Sequence, residues 1–320
     1  FIIINNDVWY DMSTRSGQES GLPRLRQWIT EARWFTQETW IGVGLVIPAT
    51  IMMLVIIVYP TIRALWVSLH SRSFLNLTQI EWVGLANYEQ LFADPTFTVA
   101  MTQTVLLTVG AVVAMYLLGL GLALLLKENL PGLGVLRSLS MISWVIPPVV
   151  IVIIWSWMLE VNYGLVNLLF GFVGGPNKSW FGSRQWALPL VTMLRVWKDT
   201  PFVAIALMAS MQSIPKEYYE AAEIDGASRI QKFRHITLPN ITYISMIMIV
   251  IETIAAFNSF QMIFIATGGG PVNSTEVLGT YVYEQAFMEY ALGYASAIGT
   301  IMLLLLTIFT IIYVKIEDTD

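Results

Sequence analysis

Five stretches of this chain, residues 39–62, 95–126, 138–159, 253–275 and 290–314, contain no Lys, Arg, Asp or Glu. A bilayer core about 30 Å thick is crossed by roughly 20 apolar residues wound as a helix, because hydrocarbon offers no partner to an unpaired backbone amide. Each stretch is long enough to span. Only 12% of the 320 residues are charged, against about a quarter in soluble domains, so these runs are the fabric of the chain.

A further span is expected over 186–211, which is apolar except for Arg195, Lys198 and Asp199. The fifth is expected to start near Asn240, to include Glu252, and to end near Thr267 ahead of the Gly268-Gly269-Gly270-Pro271 breaker. The chain therefore reads as an all-α polytopic membrane protein with six transmembrane helices. Residues 1–38 form a polar N-terminal segment with an interfacial helix over 25–38, residues 39–315 the transmembrane domain, and residues 316–320 a tail.

Lys and Arg sort the connections. With the N-terminus inside, eleven of seventeen lie in inner segments, and only Arg72, Lys178 and Arg184 lie in outer loops. This bias predicts that both termini are cytoplasmic. No basic stripe points to nucleic acid, and the chain has no cysteine and two distant histidines, His70 and His235. No GxxxxGK[ST] or HExxH pattern and no adjacent nucleophile and base stand out. Neither a catalytic residue, a metal site nor a cofactor is expected in this chain.

One inner segment departs from the apolar pattern. EYYEAAEIDGASRIQKFRHITLPNI, residues 217–241, is densely charged yet returns an apolar side chain every few positions (Tyr218, Ala221, Ala222, Ile224, Ile230, Phe233). That spacing is amphipathic. Acids fill its first half and bases its second, as helix dipoles favour, and Gly226 permits a bend between two short helices.

Glu220-Ala221-Ala222, three residues, Gly226, nine residues, then Ile236-Thr237-Leu238-Pro239 resembles the EAA loop of ABC importer permeases. WVGLANYEQLFADPTF, WKDTPF, IPKEYYEAAEIDGAS and NSTEVLGTYVYEQAFMEYALGYASAIGT extend the resemblance over residues 40–315, to the first permease of carbohydrate uptake systems of the maltose and glycerol-phosphate type. The resemblance implies a bacterial inner-membrane subunit that pairs with a second permease and receives its solute from an extracytoplasmic binding protein. A cytoplasmic ABC ATPase dimer, which would hold ATP and Mg²⁺, would dock on a coupling loop over 216–239. Glu220 would make polar contacts there. Ala221, Ala222 and Gly226 would give close packing, with Asp225 in the same coupling set, and Leu238 and Pro239 would mark the entry to the fifth span.

Ionisable residues inside spans are costly and are functional candidates by default. In the fifth span Glu252, Ala256 and Ser259 fall at i, i+4 and i+7, one face of a helix, beside Asn258. Sugar hydroxyls want charged or amide partners, and a sugar ring stacks on aromatics, so Lys198, Asp199, Phe202, Glu252, Asn258 and Ser259 form a plausible path. Similarity to the maltose-type permease adds Trp144. Two roles fit Glu252 equally: contact with a solute, or pairing with Arg195 or Lys198 to hold two helices together. An ion-coupled secondary transporter, or a permease for glycerol-phosphate-type ligands, is the alternative reading.

Overall fold

Apolar runs become helices here, but the breaks fall where backbone chemistry dictates. The computed structural model describes residues 37–73, 80–128 and 132–317. The expected interfacial helix at 25–38 lies outside them apart from its last two residues, and residues 318–320 of the tail lie outside as well.

There are two units, Phe1–Thr61 and Ile62–Asp320. In the first, α1 (Gln37–Met53), one π-helical turn (Leu54–Val58) and the start of α2 (Tyr59–Ser68) follow one another without interruption. In the second, a short antiparallel pair joins β1 (His70–Arg72) to β2 (Ile80–Trp82), with His70 opposite Trp82. Helix α3 (Ala86–Ala93) leads into α4 (Pro95–Leu126). Asp94 starts α4 by accepting the Thr96 amide at 2.8 Å, with Pro95 at the first helical position, where its missing N–H costs nothing. The other Asp94 oxygen accepts the hydroxyls of Tyr281 and, at 2.8 Å, Tyr294. Burial alone would raise this carboxyl, but those hydroxyls and Thr96 hold it below the usual range.

After α4 come α5 (Leu133–Ser140), α6 (Ile142–Val145), α7 (Pro148–Met158) and α8 (Leu165–Phe172). Then follow α9 (Ala187–Gln212), α10 (Lys216–Ile224), α11 (Arg229–Lys232), a π turn (Phe233–Thr237) and α12 (Leu238–Phe257). The chain closes with α13 (Phe260–Ala266), α14 (Leu278–Tyr283), a π turn (Glu284–Met288) and α15 (Leu292–Glu317).

Among the described residues, four helices are long and apolar enough to cross a membrane, at Gly42–Ser68, Pro95–Leu126, Arg229–Phe257 and Leu292–Lys315. The bent pair Leu133–Val145 and Pro148–Met158 makes five if counted as one span. Helix α9 has the length, at 26 residues, but carries Arg195, Lys198 and Asp199.

Two expected spans are corrected. The third is not one helix over 138–159: its halves meet at 96°. Ile146 is extended, with φ −65° and ψ 130°, because a residue before proline is pushed out of the helical region, and Pro147 and Pro148 both lack an amide donor. Nor does the fifth run from 240 to 267. Helix already begins at Arg229 and stops at Phe257, and Ser259, with ψ 65°, breaks it before α13. Asn258 contributes by donating its side-chain amide to the Ile254 carbonyl at 2.8 Å, a local bond that competes with the helical ladder. Pro201, by contrast, sits inside α9 without ending it.

The core of the second unit lies where α4, α9 and α12 meet, around Leu107, Met115, Leu194, Leu207 and Ile241. Gly119 sets how closely α4 and α9 approach: a Cβ there would come within 2.9 Å of Val203 Cγ1. Small residues at such crossings let backbones pack tightly, the main source of helix association in lipid. Tyr116 donates to Ser245 at 3.0 Å and ties α4 to α12. A second cluster, with Leu91, Phe97, Leu278, Tyr281 and Ile298, packs α14 and α15 over the start of α4.

Candidate functional site

A cavity of about 430 Å³ opens where α6, α9 and the α12–α13 break converge. All seven residues expected along a solute path line it: Trp144 from α6, Lys198, Asp199 and Phe202 from α9, Glu252 from α12, and Asn258 and Ser259 from the break. Ser259 arrives differently from the expected helical stripe. It lies beyond the end of α12 and reaches the cavity through the non-helical turn.

The polar side is organised by Arg195, whose role the expected set omitted. Its Nε lies 2.5 Å from Asp199 Oδ2, one turn along α9. Its Nη1 donates to Ser259 Oγ at 3.0 Å, bridging to the break. Its Nη2 stands 3.8 Å from Glu252 Oε2. Lys198 turns instead to Asp199 Oδ1, at 2.9 Å. Two cations therefore share Asp199, and Glu252 keeps one loose contact, to Arg195 rather than Lys198. Glu252 is buried, and its Oε2 makes no hydrogen bond among the described residues. Buried acceptors are almost always satisfied, and the donor that faces this oxygen is the Arg195 guanidinium.

The apolar side is a stack. Trp144 and Phe202 lie nearly parallel, 8° apart with ring centroids 5.2 Å from each other. One wall thus offers aromatic surface and the other a fork of charges and amides, including Gln261 beyond the break. Gln261 and Phe260 were missed because the expected helix would have turned them elsewhere.

The charged segment forms a second candidate site. Helix α10 starts after Pro215 and ends at Ile224, with Asp225 as its C-cap and Gly226 at φ +74°. The Ala227 amide returns to the Ala222 carbonyl at 2.8 Å, and Ser228 and Gln231 cap α11 reciprocally. Glu223 and Lys232, 2.5 Å apart, clip the two short helices together. Their hydrogen bond and charge attraction hold the Glu223 carboxyl below its ordinary value. Tyr219 anchors the inner face, its hydroxyl 3.0 Å from Thr237 Oγ1. Glu220, Ala221, Asp225 and Gly226 face outward, Ala222 is half-buried, and Leu238 and Pro239 lie exposed at the start of α12. Ile224 is 88% exposed.

Among the described residues no cluster of three His, Cys, Asp or Glu side chains could hold a metal.

Residues 115–318 match the family of binding-protein-dependent transport system inner membrane components. Among curated relatives, the sulfoquinovosyl glycerol transport system permease protein SmoG of Agrobacterium fabrum is 33% identical over 301 residues, 94% of this chain and 96% of the relative. The trehalose/maltose transport system permease protein MalF of Thermococcus litoralis is 35% identical over 283 residues, 88% and 94% of the two chains. The fold is shared with a crystal structure of a bacterial alginate ABC transporter in complex with an alginate pentasaccharide-bound periplasmic protein, with a TM-score of 0.77 at 21% identity over 91% of this chain and 96% of that one. The apolar helices, the charged turn and the family match meet in one assignment: this chain belongs to the inner-membrane permease components of binding-protein-dependent transport systems.

Proposed function

We propose that this permease carries a sugar or sugar-like solute through the cavity between α6, α9 and the α12–α13 break. The observation that carries the reading is the convergence of Trp144, Lys198, Asp199, Phe202, Glu252, Asn258 and Ser259 on one wall-and-fork arrangement. Stacked rings suit the apolar face of a pyranose, and the carboxylates and amides opposite suit its hydroxyls. Relatives named for a sulfoquinovosyl glycerol and for trehalose and maltose support the solute class.

In this reading six spans cross the membrane, with α9 and the bent α5–α7 pair among them, and both termini face the cytoplasm. A second permease completes the path, an external binding protein delivers the solute, and lipid surrounds the pair. The segment 216–239 is the coupling loop. Glu220, Ala221, Ala222, Asp225 and Gly226 meet a cytoplasmic ATPase dimer, which binds ATP and Mg²⁺ and does all the bond chemistry. Leu238 and Pro239 pass its motion to α12. The exposed Ile224 and Ile230 beside this turn support a partner there. The permease itself contributes differential contacts in its two states.

The test is solute uptake by the reconstituted importer with Glu252→Ala or Asn258→Ala. Loss of uptake with intact assembly on a sizing column is the expected result. Loss of assembly in both variants would instead assign these residues to helix pairing. Mass spectrometry of proteins that copurify with the native chain should find a P-loop ATPase and a second permease.

A further inference from the structure

Between α7 and α9 the chain builds a rigid platform that none of the transport roles above uses. Asn167, buried at its centre, donates to the carbonyls of Leu159, Glu160 and Lys178 at 3.3, 3.0 and 3.1 Å. Its oxygen accepts the Lys178 amide and the Trp180 indole N–H, each at 3.0 Å. With three carbonyls sharing its two N–H donors and two donors on its oxygen, this one side chain ties both ends of the loop together. The Lys178 ammonium then sits within a box of three rings, 4.9 Å from the centroid of Phe170, 5.2 Å from Trp186 and 5.4 Å from Trp180. Cation–π attraction of this kind strengthens as water is excluded.

What this scaffold presents is apolar. Asn167 and Phe170 point inward on α8, and Leu165, Leu168, Leu169, Phe172 and Val173 point outward, Phe172 with 87% of its surface exposed. No charged residue occurs from 161 to 177. We propose that α8 lies flat in the membrane interface, with its outer face sunk among lipid acyl chains and the Lys178 ring box at headgroup level. Two features choose lipid over a protein partner. The preceding helix α7 likewise exposes Ile153, Ile154 and Trp157, and together with Leu133–Val145 it is long and apolar enough to cross a membrane. No charge interrupts that face from 161 to 177, and tryptophans and a lysine flanking an apolar helix are the chemistry of an interfacial anchor.

The chain contains no cysteine, so Phe172→Cys and Leu168→Cys each give this subunit a single nitroxide site. The variants would be studied in the assembled transporter, in phosphatidylethanolamine and phosphatidylglycerol vesicles. Leu117→Cys on α4 and Arg184→Cys, both exposed positions, serve as apolar and aqueous references. The nitroxides at 168 and 172 should be relaxed severalfold more by oxygen than by a water-soluble nickel complex, as at 117. A preference for nickel, as at 184, would put the face in water and overturn the proposal. Shielding from both relaxants would show a protein covering it and overturn it equally.

Discussion

Arg195→Met probes the cavity most directly. The guanidinium pairs with Glu252 at 3.8 Å, and Lys198 is already committed to Asp199. At that separation, with an effective dielectric near 20, the attraction is about 4 kcal/mol, in line with the ~3–5 kcal/mol lost when one member of a buried pair is removed. The 2.5 Å pair with Asp199 and the bond to Ser259 are lost as well, but Asp199 keeps Lys198 at 2.9 Å, whereas Glu252 loses its one ion-pair contact. At roughly 2–4 °C per kcal/mol, thermal unfolding of the purified transporter in nanodiscs should fall by a clearly measurable margin. Adding Glu252→Gln to Arg195→Met should then recover about 2 kcal/mol or more by removing the stranded charge. The same Glu252→Gln change in the native background should be neutral or destabilising. If it has the same effect in both backgrounds, Arg195 and Glu252 are energetically independent and the charge fork is not a unit.

Three further outcomes follow from other features. Gly226→Val should cost about 1–2 kcal/mol at φ +74° and abolish solute-stimulated ATPase activity in the assembled complex, while Gly226→Asn, which tolerates that conformation, should keep most of it. Nothing lies within 4 Å of a Cβ there, so equal damage from both would point to a lost contact rather than a strained turn. Asn167→Ala should destabilise the 160–186 loop by about 2–4 kcal/mol, since it strands buried donors and carbonyls, and hydrogen exchange should rise at the Lys178 amide. Glu276 is buried in the loop before α14, and burial lifts its carboxyl to about 7 despite a hydrogen bond from Thr280, with Glu284 adding repulsion. The folded protein thus holds a proton that the unfolded chain releases from about pH 4.5 upward, so its stability should decline as pH rises from there to about 7 and level off above. Glu276→Gln should flatten that slope in pH-dependent unfolding curves, and an unchanged slope would assign it to another group.

Much of this organisation is legible in single residues, and what is not has physical reasons. Uncharged runs announce α4 and α15 almost to the residue, because hydrocarbon length leaves little choice. The Pro147-Pro148 pair carries a visible instruction to break, though not the 96° angle, which depends on what each half packs against. The α12–α13 break lacks any such mark. It rests on Asn258 folding back on Ile254 and on Arg195 holding Ser259 from another helix, and the second of these exists only once the fold has formed. For that reason the residues of the expected Glu252–Ser259 stripe reach one cavity on a backbone other than the expected helix. Arg195 could be noticed as a charge inside a span, but its place at the hub could not, since three partners compete for it at ranges set by tertiary packing. The Lys178 ring box was hidden in the same way: Phe170, Lys178, Trp180 and Trp186 are spread over 17 positions and look like ordinary loop aromatics.

The helix from Arg229 to Phe257 also sets a mechanical scale. Its 29 residues stay helical throughout, with one π turn at Phe233–Thr237, and form a rod about 43 Å long at 1.5 Å per residue, with Glu252 about 35 Å from the Arg229 end. A tilt of about 5° pivoting on Arg229 therefore sweeps Glu252 sideways by about 3 Å, the length of a hydrogen bond. Because the rod stops at Phe257, α13 need not follow that sweep. A rotation too small to unseat the packing of α4 against α9 is thus large enough to exchange one partner for another at the far end of the lever.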